Sequence, residues 1–450
     1  MLTETGKSRL RVFWAGLSPE IRSKLLSAAK AGAALDPASK SLFETLTELN
    51  AGEGSDDAEA RRRFFEPMSA LIGDPEVDPP SRAYFTAQFV QSLWGWLDEQ
   101  SDGQFARDAQ SDTNPAWDAS WAVRRREAGE AVRAFVDSAA TDRKSEGRII
   151  AMWGASGLDS ARDASTLLLH GSALQKPLSS FPEKIVDLDP DLCTQLRDAY
   201  EKLVEDAPEA ALWLLLLVLA RLSKPAQIFR AIEKIGRRGD DLLVSKTDLA
   251  TVGDAVFKDA EHFAARLKHA PQTLDDAKVC VDGLAHYTSI TVGMTREFGI
   301  RKDGRWGKQL FGLRSQVSTD LEKIFATVPK ILDKALPVPR KGKGGVFVPV
   351  EPEADTIIQS AAAHLHFVAG AHEWATQAAV GSIQKKTEEL ATSALDDCSG
   401  SLINIAQHSD GENQDLALQG LEVVAKLTEA AGQVESASLI RRRSAAALAA

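Results

Sequence analysis

An unbroken apolar run, AALWLLLLVLA from Ala210 to Ala220, limits what this chain can fold into more than any other stretch. Glu209 and Arg221 close it at its two ends. As a helix these eleven residues rise only about 16 Å, too little for a hydrocarbon layer of roughly 30 Å. A helix that is apolar on every side has to be wrapped by other elements, so the run predicts a central core helix. With 450 residues, 44% of them hydrophobic and 26% charged, the chain has material for two or three such cores.

The helical reading extends along the chain. Ser18-Pro19-Glu20, Asp36-Pro37-Ala38, Asn114-Pro115-Ala116 and Asp189-Pro190-Asp191 each place a short polar acceptor before a proline. The acceptor caps an orphan N–H, and proline occupies the first helical position, where its missing donor costs nothing. Apolar residues then step by three and four: Leu192, Leu196, Ala199 and Leu203 after Asp189, and Val317, Leu321, Ile324, Val328 and Leu332 further on. Pro329 is expected to kink that second helix. Strand signals are few. GGVFVPV (Gly344 to Val350) has β-rich composition, but its proline confines it to an edge or a tether. YTSITV (Tyr287 to Val292) lies inside a helical pattern and is expected to be helix. The expected fold is all-α: irregular multi-helix bundles in two or three helical domains, without a regular repeat.

Six of the nine tryptophans (14, 94, 96, 117, 121 and 153) fall in the first third, predicting a Trp-rich helical domain over 1–169 with its own aromatic core. A less periodic stretch with prolines, 170–190, precedes a central helical domain over 189–336. Residues 337–353 carry four prolines and three glycines and read as a linker or exposed loop; a C-terminal helical region fills 354–450. Its end, LIRRRSAAALAA, reads as a frayed helix end before it reads as an interaction peptide.

Catalytic signatures fail one by one. Gly299 and Gly304 have the spacing of a phosphate-binding loop, but Arg305 and Trp306 stand where lysine and a hydroxyl are needed. GASGL (Gly154 to Leu158) lacks the last glycine of a nucleophile elbow and reads as a break between helices. His364 and His366 diverge on a helix, and His364 and His372 lie about 12 Å apart along it, so no metal site is expected. Asp240-Asp241, Asp275-Asp276 and Asp396-Asp397 are expected at helix ends, serving caps and the macrodipole. Neither a catalytic residue nor a cofactor is assigned. Cys193, Cys280 and Cys398 are too scattered for a disulfide framework, and MLTETGKSRLRVFWAGLS has no apolar core for a secretion signal. The expected location is the cytoplasm.

One stretch runs against the chain's net charge of −11: TREFGIRKDGRWGKQLFGLRSQV, residues 295–317. Between Arg296 and Arg314 six cations face Glu297 and Asp303, a local charge of +4. The glycines and Asp303 imply a turn between two helices. Arg301, Lys302, Arg305, Trp306 and Lys308 are the candidate site for a partner or an anion, through guanidinium forks and an aromatic anchor. The plainer reading is structural: Trp306, Leu310 and Leu313 at i, i+4 and i+7 plug the core, and the cations balance nearby carboxylates.

RRRFFEPM (Arg61 to Met68), QSLWGWL (Gln91 to Leu97), LLVLARLSKPAQIFRAI (Leu216 to Ile232) and GRWGKQLFGLRSQVSTDLEKI (Gly304 to Ile324) resemble stretches of a group of alphaproteobacterial helical proteins of unassigned function. The resemblance covers most of the chain after about residue 55. It implies a bacterial cytoplasmic helical protein and brings no activity with it. The functional expectation is therefore an adaptor or scaffold that binds another protein. The alternative is a binder of an anionic ligand or membrane headgroup through residues 296–314. A helical enzyme with a pocket between its domains comes third. A pI near 5.4 disfavours nucleic acid.

Overall fold

The computed structural model describes residues 56–112, 114–237, 244–342 and 347–449. The helix starts expected at Ser18 and Asp36, Trp14 and the Asp240-Asp241 pair lie outside them. Within the described residues the chain is all-α, with two short strand pairs and no regular repeat. No described helix is long and apolar enough to cross a membrane.

Two compact units are present. The first holds the described residues to Asp74, then Tyr84–Ser180 and Leu203–Trp213; the second holds Pro75–Ala83, Phe181–Lys202 and the chain from Leu214 onward. The first unit contains α1 (Asp56–Phe64), a 3-10 turn (Glu66–Leu71), β1 (Ile72–Gly73), β2 (Phe85–Thr86), α2 (Ala87–Gln100), α3 (Gln104–Ser111), α4 (Ala119–Thr141), α5 (Arg143–Trp153) and α6 (Gly157–Ser179). β1 and β2 pair in parallel, Ile72 opposite Phe85. α7 (Pro190–Asp206) and α8 (Pro208–Arg221) each contribute residues to both units. The second unit adds α9 (Ile228–Gly236), α10 (Ala250–Ala265), α11 (Leu274–Glu297), α12 (Arg305–Ala335), β3 (Arg340–Lys341), β4 (Phe347–Val348), α13 (Asp355–Gly370), α14 (Gly381–His408), α15 (Glu412–Ala430) and α16 (Val434–Ala449).

Local chemistry explains several helix starts. The Asp189 carboxylate accepts from the N–H groups of Asp191 and Leu192 at 2.9 and 2.8 Å, so α7 begins at the Asp-Pro pair as expected. α4 does not begin at Asn114-Pro115. It starts after Asp118, whose carboxylate accepts from the Ser120 N–H at 3.0 Å. Thr273 and Asp276 form a reciprocal capping box on α11, which fits the cap expected of the Asp275-Asp276 pair. Asp396 and Asp397 lie in the middle of α14 instead of at an end. Tyr287 to Val292 is helical, within α11, and Gly154, at φ +84, breaks the chain between α5 and α6. Pro329 is accommodated inside α12 without ending it. Residues 337–353 carry the antiparallel β3–β4 pair, with Phe347–Val348 as one strand. The tail is a regular helix, with Arg441 paired to Glu422 and Glu429.

The aromatic core of the first unit is built mainly from edge-on rings: Phe64, Phe65, Trp94 and Phe105 in one cluster, and in another Trp153 edge-on to Trp96 and Phe135, which stack on each other. Arg125 is buried beside the first cluster and donates to the carbonyls of Arg63, Phe64 and Ala116. Burial pulls its guanidinium down to about 10. In the second unit Leu214 to Leu219 are buried, as an all-round apolar helix demands. The excursion Pro75–Ala83 is tied to this unit by Ser81, whose N–H and hydroxyl both donate to the buried Asp259 carboxylate at 2.8 and 2.6 Å. Arg82 adds bonds to the carbonyls of Ala220 and Leu222, at 3.1 and 2.7 Å.

Candidate functional site

The cationic stretch forms a corner between α11 and α12. After Glu297 the chain extends at Phe298, then closes a turn in which the Gly304 N–H donates to the Arg301 carbonyl at 3.0 Å. Gly304 precedes the first residue of α12. Trp306 enters in that first turn and is 0% exposed. Its ring meets Phe229 and Phe298 edge-on at 5.5 and 5.9 Å and lies tilted against Phe257 at 6.2 Å. The indole N–H donates to Asp254 at 2.8 Å, satisfying the one polar atom that burial would otherwise strand.

Two glycines make the corner fit. A Cβ on Gly253 would stand 2.3 Å from the Trp306 ring, and one on Gly307 would stand 1.7 Å from the Arg301 carbonyl oxygen. The turn therefore lies directly over the first turn of α12, and Trp306 seals the space beneath. Leu310 is buried and Leu313 half-buried, so the i, i+4, i+7 stripe faces inward as the structural reading expects.

The cations are largely engaged. Arg305 donates to Asp254 at 2.5 Å and stacks over the Trp306 ring at 5.8 Å. Arg301 meets the Asp303 carboxylate at 3.3 Å. That carboxyl is held below its usual range by a backbone N–H first and by Arg301 second. The Lys302 ammonium lies 5.5 Å from the Phe311 ring, which Arg314 approaches at 5.9 Å. Arg314 donates to the Thr291 carbonyl at 2.7 Å. Lys308 is exposed. Of the five candidate residues, the corner presents the side chains of Arg301, Lys302, Arg305 and Lys308 at the surface and keeps Trp306 inside.

The histidines do not converge. His364 is buried, its Nδ1 at 2.7 Å from the Ser360 carbonyl, and burial holds its pKa below the usual value. His372 is exposed beside Glu388. Among the described residues no group of three His, Cys, Asp or Glu side chains is arranged to hold a metal ion.

Sequence reasoning missed a groove of about 380 Å3 between α12 and α14. Val328, Leu332, Leu336 and Val338 line one side, and Leu390, Ala391 and Ala394 the other. Val338 and Leu390 are 48% and 49% exposed, high for aliphatic side chains on opposite walls of one cleft. Asp333 and Asp397 stand at its margins, and Asp397 is one of the acids expected to cap a helix. Cys398 also lines it, buried, and burial pushes its thiol up to about 12. The sequence signal was faint: an extra leucine on the outer face of α14. In comparisons with known proteins the chain matches no family model, no curated protein and no solved structure, so its function is argued from its own side chains.

Proposed function

We propose that this chain is a helical protein-binding module, an adaptor or scaffold of the cytoplasm, and that the α12–α14 groove receives an amphipathic helix of its partner. The observation that carries the reading is the groove itself. Its apolar walls lie open between two packed helices, and a stripe of that kind is how helix-in-groove recognition works. Along α12 and its C-cap residue the lining from Val328 to Leu336 extends about 12 Å, and on α14 from Thr387 to Ser401 about 21 Å, which accommodates two to four turns of a bound helix. Asp333 and Asp397 favour a partner helix that flanks its apolar face with lysine or arginine. Each leucine-sized anchor buried there contributes roughly 1.5–3 kcal/mol. Three free, buried thiols support the reducing compartment.

The test is affinity capture from the native cell with three baits. The wild-type chain is compared with a groove variant, Leu390→Asp with Ala394→Asp, and with a corner variant, Arg301→Ala with Lys308→Ala. The groove variant is expected to lose the partner while the corner variant keeps it, and the complex should survive a rise in salt. Equal recovery by the groove variant overturns the proposal. Selective loss by the corner variant, with steep salt dependence, transfers the function to the anionic-ligand reading.

A further inference from the structure

A second concavity of the same unit lies where the cationic stretch begins, at the last turn of α11. Its volume is about 170 Å3. α11 lends it Ser289, Val292 and Arg296, positions i, i+3 and i+7 on one helix face. Lys224 enters from the loop ahead of the 3-10 turn Pro225–Gln227, and Trp374 from the turn that follows α13. Its lining includes no carboxylate, whereas Asp333 and Asp397 border the α12–α14 groove.

Arg296 is braced from behind. Its Nε and Nη2 meet the Glu297 carboxylate at 2.9 and 2.7 Å, and Arg230 grips the same carboxylate at 2.6 and 3.0 Å. Asp187 lies 3.3 Å from Arg230 on the far side. Arg230, Arg296 and Lys224 thus set three positive charges against two negative ones, and of these five groups only Arg296 and Lys224 line the notch.

The opposite wall is held under strain. The turn bearing Trp374 closes through Ala379 at φ +63, a left-handed conformation that a residue with a Cβ rarely adopts. The Val380 N–H donates to the Ala375 carbonyl at 2.8 Å and the Ala379 N–H to the Thr376 carbonyl at 3.1 Å, closing the turn on which the half-buried Trp374 stands. Strain of this kind persists where the surroundings over-determine the backbone, and it clusters at ligand clamps.

We infer that this notch binds a small organic monoanion, its carboxylate between Lys224 and Arg296 and its flat apolar body against Trp374 and Val292. The site is separate from the α12–α14 groove, and its failure leaves the helix-docking proposal standing. At about 30 Å3 per water, the volume equals five or six waters, enough for one ring with one carboxylate. A single surplus charge and an indole wall favour a monoanion with an aryl face over a bare multivalent phosphate.

Benzoate is the probe, with benzamide as its neutral counterpart and inorganic phosphate as the bare anion. Titration of the full chain, followed calorimetrically, is expected to give one saturable benzoate site, with benzamide and phosphate at least about tenfold weaker. Lys224→Met and Trp374→Ala should each weaken benzoate about tenfold or more, while Lys302→Met with Lys308→Met at the corner leaves it unchanged. Lys224 is exposed, so its variant keeps the fold, which the melting curve verifies. Absence of a saturable benzoate site, equal affinity in Lys224→Met, or tighter binding of phosphate than of benzoate overturns the assignment.

Discussion

Asp259 gives the sharpest quantitative test of the packing described above. The residue is 0% exposed, and the Ser81 N–H and hydroxyl both donate to its carboxylate. Burial pushes its carboxyl up to about 6, against the opposing pull of Ser81 and Arg82. The folded state therefore holds this proton more tightly than the unfolded chain does. The associated stability is fully present below the unfolded value near 3.8 and is lost as pH rises through about 6. A shift of about two units is worth about 3 kcal/mol. Asp259→Asn removes the titration and keeps both bonds, since its oxygen accepts from the Ser81 N–H and its nitrogen donates to the Ser81 hydroxyl. Urea unfolding of both proteins from pH 4 to 8 isolates the group, because every other titration cancels in the difference. The asparagine variant should gain on the wild type by up to about 3 kcal/mol as pH rises through that window. A flat difference curve refutes the argument. So does one that falls with pH, which would mean that the carboxylate is stabilised in place.

Four further outcomes follow from particular contacts. Trp306→Ala removes the ring packed on Phe229, Phe257 and Phe298 and should cost about 3–5 kcal/mol, while Gly307→Ala, with its Cβ on the Arg301 carbonyl, should cost about 1–3 kcal/mol or more; denaturant midpoints read both. Ala379→Gly relieves the left-handed strain and should raise stability by about 1 kcal/mol, seen as a higher melting temperature. Arg125→Met strips donors from three carbonyls and should cost about 3 kcal/mol or more, with the loss followed by tryptophan fluorescence because the aromatic clusters share its unit.

What the sequence revealed was local. The three-and-four spacing after Asp189 and through Val317 to Leu332 is intrinsic to one helix, so it could be read without knowing any neighbour. The apolar run of α8 was legible for the same reason. Asn114 misled because Asn-Pro and Asp118 both satisfy the capping chemistry, and only the position of Trp121, whose indole donates to the Asn114 carbonyl, chooses between them. Asp396-Asp397 misled because an acid pair suits an exposed helix face as well as a helix end. The corner's turn was readable from its glycines and Asp303. The burial of Trp306 followed from its i, i+4, i+7 spacing with Leu310 and Leu313, but its partners did not, because Phe229, Gly253, Asp254 and Phe257 come from α9 and α10, far away in sequence. Both concavities draw on separate elements, and no linear spacing records their convergence.

The cations of residues 296–314 then have a physical reason to exist in an acidic chain. A buried tryptophan at a helix start needs an acceptor for its indole, and Asp254 supplies one. A carboxylate held there calls for a cation, and Arg305 meets it. Phe311 lies between Lys302 and Arg314, while Glu297 joins Arg230 and Arg296 in one shared pair. Charge gathered for such internal reasons is poor material for a strong external anion site, since a ligand must compete with carboxylates already in place. At the last turn of α11, Arg296 and Lys224 line a notch whose lining includes Trp374 and no carboxylate. The start of the cationic stretch, and not its crowded middle, borders the notch to which we assign the small anion.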